Sequence, residues 1–263
     1  MTADGVEVSG PVLFARYAFP PNHLGYCGPD DAARFLAHGV NADDHGLREM
    51  ARGFDGALPY LQLIADGNGF PDALDPRVVE AYWLGGPELD RVGPAALTST
   101  TQRAFSGRSG PLFPGIEEAL AAGALPHHSF AVFCVYPWVA MLGDPRRTPQ
   151  AMIVLDRCRI RWGRVISIDG DVIIAEWQPL TWDGRRLALG PAITEPVRRA
   201  IDGLGLASPL AEGDLVALHW DWVCDRLTSA QRDVLRGVST GQLELTNTTL
   251  ARRAARNPVN SRG

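Results

Sequence analysis

Two residues in this chain combine type and setting in a way that suits chemistry. Cys158 opens Cys158-Arg159-Ile160-Arg161-Trp162-Gly163-Arg164-Val165, and His219 closes Gly213-Asp214-Leu215-Val216-Ala217-Leu218-His219. A thiolate with an imidazole is a soft-to-borderline ligand pair that suits iron, and outer-shell groups would tune it. Arg159 and Arg161 flank the thiol, and their charge would favour thiolate. The plainer alternative is a buried structural thiol and a strand histidine facing its neighbour strand. Cys27 is a second candidate, in His23-Leu24-Gly25-Tyr26-Cys27-Gly28-Pro29-Asp30-Asp31, at the mouth of a predicted helix. A helix N-terminus lowers a thiol pKa, so Cys27 with His127 or His128 as base would make a cysteine-hydrolase arrangement. Against this, Asp30 and Asp31 oppose ionisation, and a tight Gly-Pro turn around a buried thiol reads equally from the same residues. Adjacent histidines diverge on a helix or a strand alike, so His127 and His128 form a poor bidentate pair. No Walker loop, GxGxxG or HExxH is present.

The order Cys-x4-Gly-Arg-Val, a hairpin, then Gly-Asp-x-Val-x-x-His resembles the small β-barrel chaperones of NiFe-hydrogenase assembly, the HypC/HupF family. The resemblance covers roughly residues 155–237. It implies an OB-like barrel closed by a helix. It also implies that Cys158 and His219 handle an iron centre transiently, and that the partner is a hydrogenase large-subunit precursor or a HypD-like scaffold protein. The chain departs from the family pattern in three ways. Its Cys is internal, Trp162 stands where Pro is usual, and Trp220-Asp221-Trp222 follows the His. Trp and Arg dominate interface hot spots, which makes Arg159, Arg161, Trp220 and Trp222 the expected partner-binding set. The N-terminal part, with Arg16-Tyr17-Ala18-Phe19-Pro20-Pro21-Asn22, resembles an uncharacterised actinobacterial family.

The elements that must position these residues change character along the chain. Before residue 125 the sequence reads as helices punctuated by Gly, Pro and Asp. Asp30–Gly39, Leu58–Ala65, Asp75–Gly85 and Pro114–Gly123 are each a predicted helix, and Asp75 with Pro76 forms a cap followed by proline at the first helical position. Phe130–Leu142 is apolar and reads as either a buried helix or a buried strand. After Pro149 two Asp-Gly pairs, Asp169-Gly170 and Asp183-Gly184, each separate β-rich runs, the strongest short-range hairpin signal. Thr194-Glu195-Pro196 reads as the start of a short helix. Leu215–Cys224 reads as one strand, with Leu215, Ala217 and His219 on one face and Val216, Leu218, Trp220 and Trp222 on the other. Thr228 to Gln231 is a capping box for a helix to about Arg236. Together these predict an α+β chain. A helical part over 1–150 precedes an OB-like antiparallel barrel over 151–240, and residues 241–263 hold a C-terminal helix and tail.

Composition narrows the function classes. Apolar residues are 46% of the 263, enough for a sizeable core and too many for disorder. All 25 basic residues are Arg, so Arg at any one position says little. Residues 1–145 carry eight Arg against 17 acids, and residues 146–263 carry 17 Arg against 13 acids. That asymmetry fits two modules, but the excess is too small, and too free of interleaved aromatics, for nucleic acid. The longest apolar run, Phe130–Leu142, is shorter than the ~20 residues a bilayer needs and contains Pro137, so no membrane span is expected. The first residues lack an apolar signal segment, and four scattered cysteines (27, 134, 158 and 224) form no CxxC pair. A cytoplasmic protein with free thiols is the expectation.

Overall fold

A computed structural model describes residues 8–105 and 113–256. Ten helices and seven strands follow one another in it: α1 Gly10–His23, α2 Ala32–Val40, α3 Asp44–Ala51, α4 Leu58–Asn68, α5 Pro76–Trp83, α6 Pro94–Phe105, α7 Phe113–Ala121, the short α8 His128–Phe130, α9 Thr148–Cys158, β1 Arg161–Asp169, β2 Val172–Trp177, β3 Leu180–Trp182, β4 Leu187–Leu189, β5 Ile193–Arg198, β6 Leu215–His219, β7 Trp222–Leu227 and α10 Ser229–Arg256. The architecture is α+β, and no strand lies among the described residues before 160.

Helix α1 is mostly apolar and is buried along nearly its whole length, with Arg16 and Asn22 its buried polar residues. A helix buried on all sides belongs at the centre of a core, and α2, α3 and α5 surround it while β6 and β7 close its far side. Asp31, Asp43 and Asp75 cap α2, α3 and α5 by accepting from backbone N–H groups in the first turn, which satisfies donors that otherwise have no partner. The apolar run from Phe130 resolves as helix. Following α8, residues Ala131–Val135 form a π-turn and Val139–Met141 a 3-10 turn. π-turns concentrate at functional sites.

Five strands close a barrel in the order β1-β2-β5-β7-β6. Numbered among themselves these run 1-2-3-5-4, the OB arrangement, with β3 and β4 forming a separate hairpin between the second and third barrel strands. The β5·β7 pair is parallel and the rest antiparallel. Both Asp-Gly hairpins form as expected. Side chains alternate about the wall. Val165, Ile173, Ala175, Trp177, Val197, Val216, Leu218 and Val223 fill the barrel, while Ala217, Trp222, Cys224 and Leu227 face outward and join the core around α1. One continuous apolar cluster therefore runs from the helices onto the outer face of the barrel.

The structure differs from the sequence reading at four elements. Residues 148–158 are the helix α9 rather than the first barrel segment. Thr194-Glu195-Pro196 lies in strand β5. Proline is tolerated there because β5 meets β7 at a single pair, Arg198 with Trp222, so the missing N–H interrupts no ladder. Leu215–Cys224 is two strands rather than one. The chain turns at Trp220, with φ of 54°, and His219 pairs directly with Trp222. The closing helix starts at the expected capping box, where Thr228 Oγ1 accepts from Gln231 N at 3.1 Å. It then continues for 28 residues, past the expected end near Arg236. Leu235, Ser239, Gln242 and Thr246 are buried on one stripe at helical spacing, and that packing carries α10 through Gly237 and Gly241. Residues 257–263 of the expected tail lie outside the described residues.

Candidate metal centre

The two motif segments divide into residues that build the barrel and residues that reach a site. Gly163 sits where β1 crosses β2. A Cβ there would stand 2.9 Å from the Glu176 carbonyl oxygen, so only glycine fits. Gly213 turns into β6 with φ of 88°, a conformation glycine adopts without strain. Asp214 accepts from Ala211 N at 2.8 Å, and Arg164 donates to the Gly213 carbonyl at 2.8 Å, tying one segment to the other. Val165 and Val216 fill the barrel.

Cys158 and His219 come together through the β1·β6 register. Arg161 pairs with Leu218, and continuing that register brings the α9–β1 junction beside the end of β6. The bond from Trp220 N to the Arg157 carbonyl, 2.6 Å, closes this contact. A buried ion pair fixes the junction. Asp156 Oδ1 accepts from Arg159 Nε and Nη2 at 3.2 and 3.0 Å and from Leu180 N at 2.9 Å, and Arg159 Nη2 also donates to the Gln178 carbonyl. Cys158 thus ends α9 instead of beginning a strand.

A third potential ligand joins them from α8. One potential ligand atom each from His128, Cys158 and His219 lies within 4.8 Å of the others. Both imidazoles have their tautomers set by backbone carbonyls. His219 Nδ1 donates to the Tyr17 carbonyl at 2.7 Å, leaving Nε2, which is buried and has no hydrogen-bond partner. His128 Nε2 donates to the Cys158 carbonyl at 2.8 Å, leaving Nδ1, with the Tyr82 hydroxyl at 3.4 Å. His219, held by N–H to carbonyl on one side with the other nitrogen unpartnered, has the usual posture of a metal-ligating histidine, while His128 keeps the Tyr82 hydroxyl on its second nitrogen. Burial lowers the His128 pKa to about 4, and burial, reinforced by His128, holds His219 well below its ordinary value. Both rings are therefore neutral at pH 7, as ligation requires. Burial, with the nearby Cys27 adding to it, pushes the Cys158 thiol well above its ordinary range. The flanking arginines do not make it a thiolate, contrary to the sequence expectation. A bound cation would.

His128, Cys158 and His219 line a cavity of about 440 Å³, whose wall also includes Tyr26, Cys27, Asp55, Tyr82, Trp83 and Trp220. Cys27, exposed as a residue, lines the cavity, and desolvation of its thiol there pushes the pKa up to about 12. This opposes the lowering expected from a helix N-terminus. His127 does not line the cavity. Its Nδ1 accepts from Ser129 N and caps α8, and burial lowers its pKa to about 3.

The four side chains expected at a partner surface are inside the chain. Arg159 and Arg161 are 2% and 0% exposed, and Trp220 and Trp222 are 5% and 1% exposed. Arg159 completes the Asp156 ion pair. Arg161 points into the barrel end, 4.1 Å over the Trp177 ring, and burial lowers its pKa to about 9. Trp220 stacks on Tyr26 with centroids 4.2 Å apart, and Trp222 meets Phe19 edge-on at 5.1 Å. Alternation marked these residues as a shared face without showing that helices cover it.

A barrel of OB order roofed by helices, with a thiol and two oriented imidazoles where they meet, defines an α+β protein with a candidate metal centre. The chain belongs to the Family of unknown function (DUF6390), which matches residues 6–253. No curated protein and no solved structure matches it. Among the described residues no helix is long and apolar enough to cross a membrane.

Proposed function

We propose that this chain is an accessory factor for NiFe-hydrogenase assembly that binds an iron ion at His128, Cys158 and His219. It would hold the ion for a large-subunit precursor or a HypD-like scaffold protein, in the cytoplasm, where four free thiols fit. The observation that carries this reading is the convergence of Cys158 and His219, the end residues of the two resembling segments, on one point together with a third oriented ligand. One thiolate and two neutral imidazoles suit a divalent transition metal. Because Cys158 is roofed by the helical part, the ion would be held inside this chain, and the thiol would not project into a partner.

A Cys27 hydrolase is the competing reading, and Cys27 and His128 do share the cavity. It is less well supported. Desolvation pushes the Cys27 thiol up to about 12, which opposes a thiolate at pH 7, and His128 Nε2 is committed to a carbonyl. Anaerobic capture of a tagged large-subunit precursor, with the scaffold partner present, tests the proposed role. Wild type is expected to capture it, and Cys158→Ala and His219→Ala to lose capture while keeping their far-ultraviolet circular dichroism. Failure of wild type to capture the precursor contradicts the role.

A further inference from the structure

We infer that Cys27 supplies the fourth ligand of this centre, making it a two-thiolate, two-imidazole site. The inference rests on the metal centre proposed above. Its geometry is independent of the two segments that first suggested that centre. His128, Cys158 and His219 cluster together and all line the cavity, so a tetrahedral ion bound among them has a remaining position that another cavity-lining donor can fill. Nε2 of His219, wholly buried and unpartnered, is among the groups that line it. The cavity's other donors are the Asp55 carboxylate, the Tyr82 and Tyr136 hydroxyls and the Cys27 thiol, whose sulfur lies outside the 4.8 Å cluster of the three and would join it by turning about its own side-chain torsion. A site that already offers thiolate and imidazole selects a soft metal, and for that metal the thiol is the matching donor.

The loop bearing Cys27 is built to stay there. Asn22 Nδ2 donates to the Cys27 carbonyl at 2.9 Å and to the Pro29 carbonyl at 2.7 Å. Gly28 has φ of 85°, and a Cβ on it would strike the Phe54 ring. Tyr26 stacks on Trp220, the residue that follows His219. The loop is thus clamped to the strand end that carries a ligand. Two thiols give up their protons to solvent as their bonds to a divalent ion form, and the two negative charges balance the ion. Cys27 is exposed as a residue, so it is also the ligand through which an ion enters and leaves.

Cobalt(II), added anaerobically to the full chain, is the probe, because the near-ultraviolet thiolate-to-cobalt band grows with each Co–S bond. Wild type is expected to show a two-thiolate band. Cys27→Ser and Cys158→Ser should each halve it and weaken binding by more than ~10-fold, the least that loss of even an outer-shell partner brings. Cys134→Ser, whose thiol faces Thr246 at 3.7 Å instead, should change neither. An unchanged band and affinity in Cys27→Ser, with wild type still binding, overturns the fourth ligand and leaves the three-residue centre standing. So does a wild-type one-thiolate band that shifts on adding azide, because the cavity-side position is then open. No cobalt binding by wild type overturns the metal centre itself.

Discussion

At the scale of single residues, the proposed centre depends on groups that hold its three side chains as much as on those side chains. Asp156 is the clearest. Its carboxylate joins the buried Arg159 guanidinium to the backbone of β3 and so fixes the end of α9, where Cys158 sits. Removing one partner of a buried pair leaves an uncompensated charge, which costs ~3–5 kcal/mol. Asp156→Ala is expected to lower the stability of the chain by that order in urea unfolding, and to broaden or abolish metal binding even where the fold survives. Stability within about 0.5 kcal/mol of wild type would show that Arg159 finds another partner. The sequence made Cys158 and His219 legible because their spacing within two short segments is distinctive. It could not show His128 beside them. That residue is 30 positions from Cys158, no spacing rule connects the two, and its neighbour His127 made the pair look like a cap. His127 is the cap. A histidine at the start of an apolar run, bound to be buried with its ring, was the only available signal.

At the scale of elements, the barrel places the site through backbone register. His219 lies at the last pair of β6, one residue before a turn in which Trp220 has φ of 54°. Cys158 lies three residues before β1. Gly163 keeps β1 tight against β2, so substitutions there act on the strand pairing that both ligands depend on. Gly163→Val would push a side chain onto the Glu176 carbonyl, a backbone atom that cannot step aside. Overpacking of this kind costs ~1–3 kcal/mol, and a fall in the urea midpoint with an unchanged m-value is the expected result. A midpoint equal to wild type would mean that the strands separate freely at that crossing. Hairpins were legible here because Asp-Gly turns are local signals. Strand β5 was not, because Thr-Glu-Pro is also a local helix-start signal, and only the sparse β5·β7 pairing shows why proline fits a strand. The turn at Trp220-Asp221 carries no glycine or proline, which is why β6 and β7 read as a single run. Arg161 and Trp222 could be placed on a face from alternation, but the occupant of each face is decided by closure of the barrel and by the helices packed outside it.

At the scale of the whole molecule, helices and barrel share one core, and the ion pair of Arg16 on α1 with Asp225 on β7, 2.6 Å, is buried within it. Three buried histidines, 127, 128 and 219, set the pH response. Each has a folded-state pKa below the ordinary ~6.5 of a free imidazole, at about 3 for His127 and about 4 for His128. A lowered basic pKa means that the unfolded chain takes up protons first. Stability is therefore full above pH ~6.5 and is lost as pH falls from there towards 4. Asp225, raised to about 6 chiefly by burial, works in the opposite direction over part of that window, one group against three. Melting temperature is expected to decline steadily between pH 6.5 and 4.5. A flat or rising profile over that range would show that the imidazoles are not buried neutral.

The decisive property of the chain is whether His128, Cys158 and His219 together bind a metal ion. Anaerobic titration of the metal-free full chain with iron(II), followed by equilibrium competition with a chelator, measures this directly. The expected result is one iron per chain in the wild type, with binding weakened at least ~100-fold in each of His128→Ala, Cys158→Ser and His219→Ala, all three remaining folded by circular dichroism. Wild-type protein that binds no iron, or three variants that bind it as tightly as wild type, would contradict the account.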